Sequence, residues 1–491
     1  MAQLIKPGEQ AAIADGVRAL DRGALDARVN RWIHALRELG LSTGDAVAIV
    51  AANRVETYEV LLACLHTGLT VVPVNWHLTA EEMAYQMEDS ASRLVVTDDA
   101  RWGTVQAAAS AARLLCFGPQ TEALLAGQPD TEPEDQVCGS TLLYTSGTTG
   151  RPNGVVNGLF ATGAPFRRVG ALSAYAGTAL GVPEDGTTLL AGPWYHSAQL
   201  FFSLLPLLRG ARLVMRPQLD AAEILKTIEA EAVTETHLVP TQFVRLLRLP
   251  DRGRFDCSSL RRVWHGGGPC AEDVKRRMID WWGPCLWEYY AATEGGVATF
   301  ISSSEWLERP GSVGRALAPT VVEVVDDDGR PCPPGVSGRV FLRRRPERDF
   351  HYHNAPEKTA AAHLEPGVFT YGELGRLDDD GYLFLTGRHQ DVIVSGGVNV
   401  YPAEVEAVLL DHSSVRDAAV LGVPDDEFGE RVLAVVEADG LAAEEVATTL
   451  DRYCRTRLAG FKVPRAYLMV AQLPREATGK LRKQVLREWF T

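Results

Sequence analysis

The sequence predicts an α/β fold: a large N-terminal domain of α/β layers plus a β-rich subdomain, followed by a small α+β C-terminal domain. Short apolar runs alternate with amphipathic stretches through the first half of the chain, a pattern typical of parallel sheets covered by helices on both faces. Between residues 320 and 386, short alternating strands are separated by Gly and Pro turns. About 100 residues follow Arg388, which is enough for a separate small domain.

The N-terminal elements follow one another as helix and strand. The first predicted helix covers residues 24–40 and ends at a glycine, and its apolar positions recur at helical spacing: Leu25, Val29, Ile33, Leu36 and Leu39. A second helix is predicted over 56–66. Five short apolar runs predict buried strands of parallel sheets: 46–53, 70–75, 94–97, 213–216 and 236–239.

Strand and helix patterns alternate again after Arg388. The segments that support a small α+β domain are DVIVSG, AEVEAVLLDH, AAVLGVPD, RVLAVVEA and a helical stretch over 443–457. No internal repeat or low-complexity tract interrupts the chain, so it is expected to fold as these two units.

Composition excludes several classes of function. The 491 residues are 46% hydrophobic and 23% charged, as in an ordinary globular protein. The net charge of −14 gives no general attraction to nucleic acid or to an anionic membrane. The start of the chain has no apolar stretch of signal-peptide length, and no run of about twenty apolar residues follows. A cytoplasmic location is therefore expected.

A loop rich in glycine and hydroxyl residues reads YTSGTTGRPNG over residues 144–154 and follows an apolar strand. Glycines let consecutive backbone N–H groups turn toward an anion, and hydroxyl groups add further donors. The loop predicts a phosphate site, although it lacks the GxxxxGKS/T order of P-loop nucleotide hydrolases. The candidate phosphate-binding residues are Thr145, Ser146, Gly147, Thr148, Thr149 and Gly150.

With this loop, six further segments make the chain resemble the adenylate-forming superfamily of acyl-CoA synthetases, peptide-synthetase adenylation domains and luciferases. They occur in the superfamily's order and at about its spacing: PWYHSAQL at 193–200, WHGGGP at 264–269, YYAATEGG at 289–296, YGELGRLDDDGYLFLTGRHQD at 371–391, VSGGVNVYPAEVE at 394–406 and PREATGK at 474–480. The resemblance implies an acid–CoA ligase that first makes an acyl-adenylate from ATP and then an acyl-CoA thioester. It also implies an acyl- and nucleotide-binding domain over 1–387, a hinge at 388–391 and a mobile C-terminal lid over 392–491.

The resemblance also implies catalytic roles for four residues. Glu294 is expected to bind Mg²⁺, and Thr293 is expected to contact the α-phosphate of ATP. Lys480 is expected to bridge the substrate carboxylate and that phosphate. His196, with its neighbours Trp194 and Tyr195, resembles an aromatic gate between the acyl and thiol channels.

Binding of the nucleotide and of coenzyme A is implied in the same way. Tyr290 is expected to stack on adenine, Arg388 to bind the ribose, and glycines to let the backbone approach the ring. The remaining nucleotide candidates are Gly266, Gly267, Gly268, Ala291 and Glu373. Gly396 and Gly397 leave room for the narrow pantetheine chain, and the basic segment with Phe461, Lys462 and Arg465 is a candidate for the coenzyme A phosphates.

Two positions depart from the superfamily on the ATP side. Asn153 stands where the phosphate loop carries a lysine, and Glu373 stands where an aspartate binds the ribose hydroxyls. A charged hydrogen bond to phosphate contributes roughly 1.5–3 kcal/mol, so loss of the lysine alone predicts an ATP step about ten- to a hundredfold slower. The neighbouring Arg151 is a candidate for part of the missing charge.

Three alternatives to a complete ligase therefore stay open. A thiolation-only enzyme would receive a preformed acyl-AMP from an upstream adenylating enzyme and transfer the acyl group to coenzyme A. An adenylation domain would charge a carrier protein supplied in trans. A catalytically lapsed chain would only bind nucleotide. The sequence leaves a homodimer open as well.

The acid is expected to be apolar or bulky, including polycyclic acids. Phe201, Trp264 and His265 are large, and no acidic residue marks a site for an amino-acid ammonium group. The acyl pocket is expected to be lined by residues after His196, around 243–247 and around 264–268.

Overall fold

The computed structural model describes residues 12–109, 111–145, 152–158, 161–217, 219–388, 391–395, 398–425, 429–476, 479 and 481–490. These residues form three sheets with helices packed against them. The predicted α/β fold, with a large N-terminal domain and a small C-terminal one, is confirmed. No helix in the described ranges is both long and apolar enough to cross a bilayer.

The N-terminal elements run to the strand that follows the glycine-rich loop. In chain order they are β1 (Ile13–Ala14), β2 (Ala19–Leu20), α1 (Arg22–Glu38), β3 (Ala46–Val50), α2 (Val55–His66), β4 (Thr70–Pro73), α3 (Ala80–Asp89), β5 (Ser92–Thr97), α4 (Trp102–Ala108), β6 (Arg113–Cys116), α5 (Pro119–Ala126), β7 (Ser140–Thr145) and β8 (Asn153–Asn157).

The middle elements continue the alternation of helix and strand. They are α6 (Arg167–Leu180), β9 (Thr187–Leu190), α7 (Ser197–Arg209), β10 (Arg212–Met215), α8 (Ala221–Ala230), β11 (Glu235–Leu238), α9 (Pro240–Arg248), β12 (Arg262–His265), α10 (Glu272–Trp282), β13 (Leu286–Ala292), β14 (Gly296–Ser302) and α11 (Ser303–Glu308).

The last elements form the β-rich segment and the C-terminal domain. They are β15 (Gly314–Ala316), β16 (Val321–Val325), β17 (Gly338–Arg343), β18 (Phe350–Tyr352), α12 (Pro356–Ala362), β19 (His363–Glu365), β20 (Val368–Phe369), β21 (Glu373–Leu377), β22 (Tyr382–Arg388), β23 (Ile393–Ser395), β24 (Val398–Val400), α13 (Pro402–Leu410), β25 (Val415–Asp425), β26 (Gly429–Ala438), α14 (Ala443–Arg455), β27 (Ala466–Met469) and α15 (Lys483–Glu488).

The sheet that carries the glycine-rich loop has the order β6-β5-β3-β4-β7-β8-β18. Strands β6 to β7 are parallel, and every residue of β3 is buried, as expected for a strand covered on both faces. Strand β8 returns antiparallel to β7 across the loop. Strand β18 then pairs antiparallel with β8, although almost 200 residues separate the two strands in sequence.

The second sheet joins the parallel half of the domain to the β-rich segment. Its core order β1-β10-β9-β11-β12-β13 is parallel. From β13 it continues through the antiparallel strands β14, β15, β22, β21 and β17. The β-rich subdomain predicted over 320–386 therefore extends this sheet, because β15 bridges β14 and β22.

The C-terminal sheet is built around the long antiparallel pair β25–β26. Strands β23 and β24 add to one side, and β27 joins β26 in parallel. Helices α13 and α14 cover one face, where Val405, Leu409 and Leu450 are buried. This arrangement is the predicted α+β unit.

Helix α1 begins at Arg22, two residues before the predicted start at 24, because Asp21 caps it. The Asp21 carboxylate accepts a hydrogen bond from the backbone N–H of Ala24, which satisfies one of the free N–H groups of the first turn. The helix ends at Glu38, before Gly40, whose φ of +81° favours glycine.

The buried carboxyl group of Glu235 makes stability depend on pH. Glu235 begins β11 and is 2% exposed, and burial raises its pKa from the ordinary 4.5 to about 7. The folded protein keeps this proton up to about pH 7, whereas the unfolded chain loses it near pH 4.5. Unfolding therefore releases a proton between these values, and the contribution of Glu235 to stability falls as pH rises through that interval.

Replacing Glu235 by Gln should remove this dependence. The stability of Glu235→Gln relative to the native protein should rise by about 1–3 kcal/mol between pH 5 and pH 8. The native protein loses stability over this interval because its buried carboxyl group resists ionisation, whereas the amide of the variant does not titrate. Urea unfolding at the two pH values measures this change. The exposed Glu223→Gln serves as control, and a relative stability of Glu235→Gln that does not vary with pH would contradict the assignment.

Candidate active site

A cavity of about 900 Å³ lies where the two large sheets and the C-terminal domain meet. The elements that border it are the ends of β7 and β8, the start of α7, the turn after β13 and a C-terminal loop. The polar residues that border it include Thr145, Asn153, His196, Ser197, Thr293, Glu294 and Glu476. The predicted catalytic and phosphate-binding positions that the structure describes thus come together around one space.

The ends of the phosphate loop are held by the β7–β8 hairpin. Thr145 and Asn153 are paired across it, and both border the cavity. The predicted loop residues Ser146, Gly147, Thr148, Thr149 and Gly150, and the neighbouring Arg151, lie outside the described residues. The structure therefore places the two flanks of the loop at the cavity.

The turn after β13 presents Thr293 and Glu294 to the same cavity. The amide Nδ2 of Asn157 donates to the backbone carbonyls of Thr293 (3.3 Å) and Glu294 (2.9 Å), which fixes the turn. The Thr293 hydroxyl donates to Ser197 Oγ at 3.1 Å, and the Tyr352 hydroxyl donates to Glu294 Oε1 at 2.9 Å. One carboxylate oxygen of Glu294 is thus oriented by a neutral donor.

Glu294 fits a Mg²⁺ ion that is shared with a nucleotide. Mg²⁺ in such sites takes one or two carboxylate ligands, and its other ligands are phosphate oxygens and water. Glu294 provides a hard oxygen ligand at the wall of the cavity that Thr145 and Asn153 also border. Among the described residues, no three His, Cys, Asp or Glu side chains are grouped to hold a metal by themselves.

Asn153 is in contact with a lysine from a distant part of the chain. Its Oδ1 accepts a hydrogen bond from the ammonium group of Lys358 on α12. Strand β18, just before α12, pairs with β8, and the backbone N–H of His353 donates to the carbonyl of Gly154 at 2.7 Å. A positive charge therefore lies at the position where the superfamily's loop lysine is missing.

Sequence reasoning missed Asn157, Tyr352 and Lys358. Each acts through tertiary contacts and none stands in a motif of its own. Tyr352 and Lys358 come to the phosphate loop because β18 pairs with β8, and such a long-range antiparallel pairing has no local signal in the sequence.

The nucleotide candidates lie around the end of β13. Tyr290 is 7% exposed, and its hydroxyl donates to Glu373 Oε2 at 2.6 Å, so the glutamate that replaces aspartate has a buried partner. Ala291 and Gly267 border the cavity. Glu373 lies opposite Arg388 in the β21–β22 pairing, so the two residues predicted to bind the ribose are neighbours on adjacent strands.

The three glycines at 266–268 serve different purposes. A Cβ atom on Gly266 would lie 2.8 Å from Cε2 and Cζ of Tyr289, so this residue is glycine because the tyrosine ring packs on it. Gly267 has φ +79°, which favours glycine. A Cβ atom on Gly268 would meet none of the described heavy atoms within 4 Å.

The predicted aromatic gate is divided between cavity and core. Tyr195 and His196 border the cavity, with their ring centroids 4.6 Å apart. Trp194 is fully buried, and its indole N–H donates to the carbonyl of Ala51 at 2.8 Å. Trp194 therefore anchors the segment, and Tyr195 and His196 are the residues that a ligand in the cavity could contact.

The C-terminal domain contributes to the cavity through the loop before Lys480. Glu476 and Gly479 border the cavity, and Gly479 packs directly on Thr241 of α9. Lys480, Gly396 and Gly397 lie outside the described residues. The ammonium group of Lys462 forms an ion pair with both oxygens of Glu404, at 2.6 and 2.8 Å.

The lining of the predicted acyl pocket agrees with the sequence prediction in part, through the residues after His196, Arg245 and Gly267. Trp264 and His265 are fully buried in the core, because β12 is a central strand covered on both faces, and Phe243 is buried as well. The apolar part of the cavity lining, called the apolar branch, comes from α6, β13 and α7, the helix that follows His196: Val169, Leu172, Phe201, Phe202, Leu204, Leu205, Leu208, Tyr289 and Ala291. His237 and Gln199 add polar groups to it.

Comparison with known proteins identifies the class. A profile of AMP-binding enzymes matches residues 3–345, and one of the AMP-binding enzyme C-terminal domain matches residues 404–480. The chain belongs to the AMP-binding enzyme family, which confirms the resemblance drawn from its motifs.

Individual relatives cover almost the whole chain. A feruloyl-CoA synthase of Amycolatopsis sp is 34% identical over 483 residues, 98% of this chain and 96% of the relative. A fatty acid–[acyl-carrier-protein] ligase of Streptomyces coeruleorubidus is 32% identical over 497 residues, 99% of this chain and 94% of the relative. The solved o-succinylbenzoate CoA synthetase of Bacillus subtilis, in complex with its acyl-adenylate intermediate, superposes with a TM-score of 0.81 at 28% identity, covering 98% and 95% of the two chains.

The packing of Gly266 predicts a large difference between neighbouring glycines. Gly266→Ala should lower the free energy of unfolding by about 1–3 kcal/mol, because the new methyl group must displace the buried Tyr289 ring. Gly268→Ala should change it by less than about 0.5 kcal/mol. Urea unfolding of both variants makes the comparison, and equal losses would show that the Tyr289 contact is not what requires glycine at 266.

Proposed function

We propose that this protein is an acid–CoA ligase that makes an acyl-adenylate from a carboxylic acid and ATP and then transfers the acyl group to coenzyme A. The supporting observation is the cavity, which brings the phosphate-loop flanks, Thr293, Glu294 and the loop before Lys480 around one space beside an apolar branch. The chemistry needs these groups together, since a carboxylate must meet the α-phosphorus of a bound triphosphate.

In the first half-reaction, a carboxylate oxygen of the acid bonds to the α-phosphorus and the bond to pyrophosphate breaks. Thr293 would hold the α-phosphate, and Lys480 would bring the carboxylate and this phosphate together. Mg²⁺ held by Glu294 would neutralise phosphate charge. Tyr352 keeps the Glu294 carboxylate directed at the cavity through its 2.9 Å hydrogen bond, which is the preorganisation that such charge stabilisation requires.

In the second half-reaction, the coenzyme A thiol releases its proton to water, its sulfur bonds to the acyl carbon, and the bond from that carbon to the AMP oxygen breaks, so AMP leaves. Gly396 and Gly397 would border the pantetheine chain, and His196 would separate the acyl and thiol channels. Lys462 would meet the coenzyme A phosphates only after leaving Glu404, a change that rotation of the lid about 388–391 would supply.

A complete ligase is favoured over a thiolation-only enzyme by the contact between Lys358 and Asn153. Lys358 is an exposed lysine whose ammonium group donates a hydrogen bond to Asn153, near the C-terminal end of the phosphate loop. It can therefore supply the positive charge that a lysine at 153 would bring. With this charge supplied, the protein can carry out adenylation itself and needs no upstream adenylating enzyme.

The acid is proposed to be apolar and aromatic. The branch of the cavity beyond Thr293 is walled by leucine, valine and aromatic side chains from α6, α7 and β13. The similarity to a feruloyl-CoA synthase supports an aromatic acid. The similarity to a ligase for acyl-carrier protein keeps a carrier as the alternative acceptor.

Two assays on the purified protein test the proposal. Carboxylate-dependent ATP–pyrophosphate exchange reports adenylation, and thioester formation from synthetic acyl-adenylates reports transfer. Exchange and thioester formation are both expected. Glu294→Gln should slow exchange about 10²–10³-fold, because an oriented charge next to the phosphates is lost, whereas Glu308→Gln on the protein surface should not. A native protein that forms thioester from the adenylate without exchange would establish the thiolation-only alternative.

The role of Lys358 is tested by moving its charge. Lys358→Ala should lower the ratio of exchange to transfer about ten- to a hundredfold, the value of one charged hydrogen bond to phosphate. Adding Asn153→Lys to this variant should restore the ratio, because the cation then comes from the loop itself. Lys226→Ala, at an exposed lysine on α8, is the matched control. An unchanged ratio in Lys358→Ala would rule out this source of charge.

A further inference from the structure

Three buried polar side chains form a hydrogen-bonded chain at the wall of the apolar branch. Gln199 on α7, His237 on β11 and Tyr289 on β13 are each 5% exposed or less, and all three border the cavity. His237 Nε2 lies 2.6 Å from the Tyr289 hydroxyl oxygen, and His237 Nδ1 lies 3.0 Å from Gln199 Nε2. No step of the proposed reaction uses them.

The direction of these hydrogen bonds follows from Gln199. Its Nε2 also donates to the backbone carbonyl of His237 at 3.3 Å, so the amide nitrogen faces the histidine. An amide nitrogen only donates, and His237 Nδ1 must therefore accept. Burial lowers the pKa of His237 to about 3, which keeps the ring neutral with a single proton. That proton lies on Nε2 and is donated to Tyr289.

The Tyr289 oxygen is thus the acceptor in its bond with His237, and its own proton needs another partner. Among the described residues, the hydroxyl has no other hydrogen bond. Burial raises the pKa of Tyr289, so the hydroxyl keeps its proton. A buried O–H donor at a cavity wall is satisfied when the ligand places an acceptor there.

The surroundings of Tyr289 suit a flat ring. Phe202 stacks on His237 with centroids 5.2 Å apart and an interplanar angle of 8°, and it lies 5.1 Å from the Tyr289 ring. Ala291 is small and borders the same cavity as Tyr289, beyond the register shift that separates the two residues on β13. Aromatic side chains in a cavity wall favour an aromatic ligand, which can stack on them or meet them edge to face.

The position of Tyr289 along β13 sets the reach of the ligand. A strand rises about 3.3 Å per residue, so Tyr289 lies at most roughly 13 Å back along β13 from Thr293, where the carboxylate would react. The register shift between Tyr290 and Ala291 shortens this distance. This reach fits one aromatic ring joined to its carboxylate directly or through a short linker.

We infer that the acid carries an oxygen acceptor on its ring, at the end remote from the carboxylate, and that Tyr289 recognises this oxygen by donating its hydroxyl proton. The inference rests on the proposed ligase function and specifies its substrate class. Methoxy, carbonyl and phenolic oxygens can all accept this bond. His237 and Gln199 are positioning residues, because they act only by orienting the Tyr289 proton.

The test compares acids of nearly equal shape that differ in the acceptor. The probes are 4-methoxycinnamate against 4-methylcinnamate and 3-methoxybenzoate against 3-methylbenzoate, with kcat/KM for thioester formation measured for each. In at least one pair the native enzyme should prefer the methoxy acid about tenfold, the value of one buried hydrogen bond. Tyr289→Phe should bring this ratio to about one. Tyr58→Phe removes an equally buried hydroxyl outside the cavity, where it bonds Ser203, and should leave the ratio unchanged.

A second variant covers the case in which Tyr289→Phe fails to fold. Gln199→Met removes the donor to His237 Nδ1, so the imidazole can take its other tautomer and accept the Tyr289 proton; the methoxy preference should again fall toward one. Thioester formation by the native enzyme without a methoxy preference in either pair would overturn the inference and leave the ligase function standing. Absence of any thioester and of any exchange would overturn the ligase function itself.

Discussion

The antiparallel pairing of β18 with β8 is the constraint on which the site depends. It returns the chain to the exit strand of the phosphate loop and fixes the backbone there through the hydrogen bond between His353 and Gly154. Tyr352, at the end of β18, then reaches Glu294, and Lys358 reaches Asn153. Three segments far apart in sequence thus become one surface because two short strands share hydrogen bonds.

The two departures from the superfamily's pattern both acquire partners in the folded chain. Asn153 lacks the positive charge of the superfamily's lysine, and the ammonium group of Lys358 donates a hydrogen bond to its side chain. Glu373 is one methylene longer than aspartate, and its carboxylate accepts a bond from Tyr290. Charge and reach are properties of the assembled cavity, so a substitution at one position can be offset by a side chain from another element.

The cavity combines a polar end with an apolar branch, and β13 joins the two. The turn after the strand carries Thr293 and Glu294, and Tyr289 and Ala291 upstream face the apolar branch. In the proposed reaction, this strand would run from the reacting carboxylate toward the far end of the acid. Tyr289 and Ala291 both border the cavity although β13 shifts its register between Tyr290 and Ala291.

The sequence by itself determined the α/β layers, the C-terminal unit and the motifs that contain His196, Thr293 and Glu294, because periodicity and short motifs are local properties of the chain. Tertiary structure alone decided that Lys358 meets Asn153, that Tyr352 meets Glu294 and that Trp264 and His265 belong to the core. The physical reason is the same in each case. Long-range packing decides which distant strands pair and which face of a central strand meets a cavity. No local pattern in the sequence records this packing.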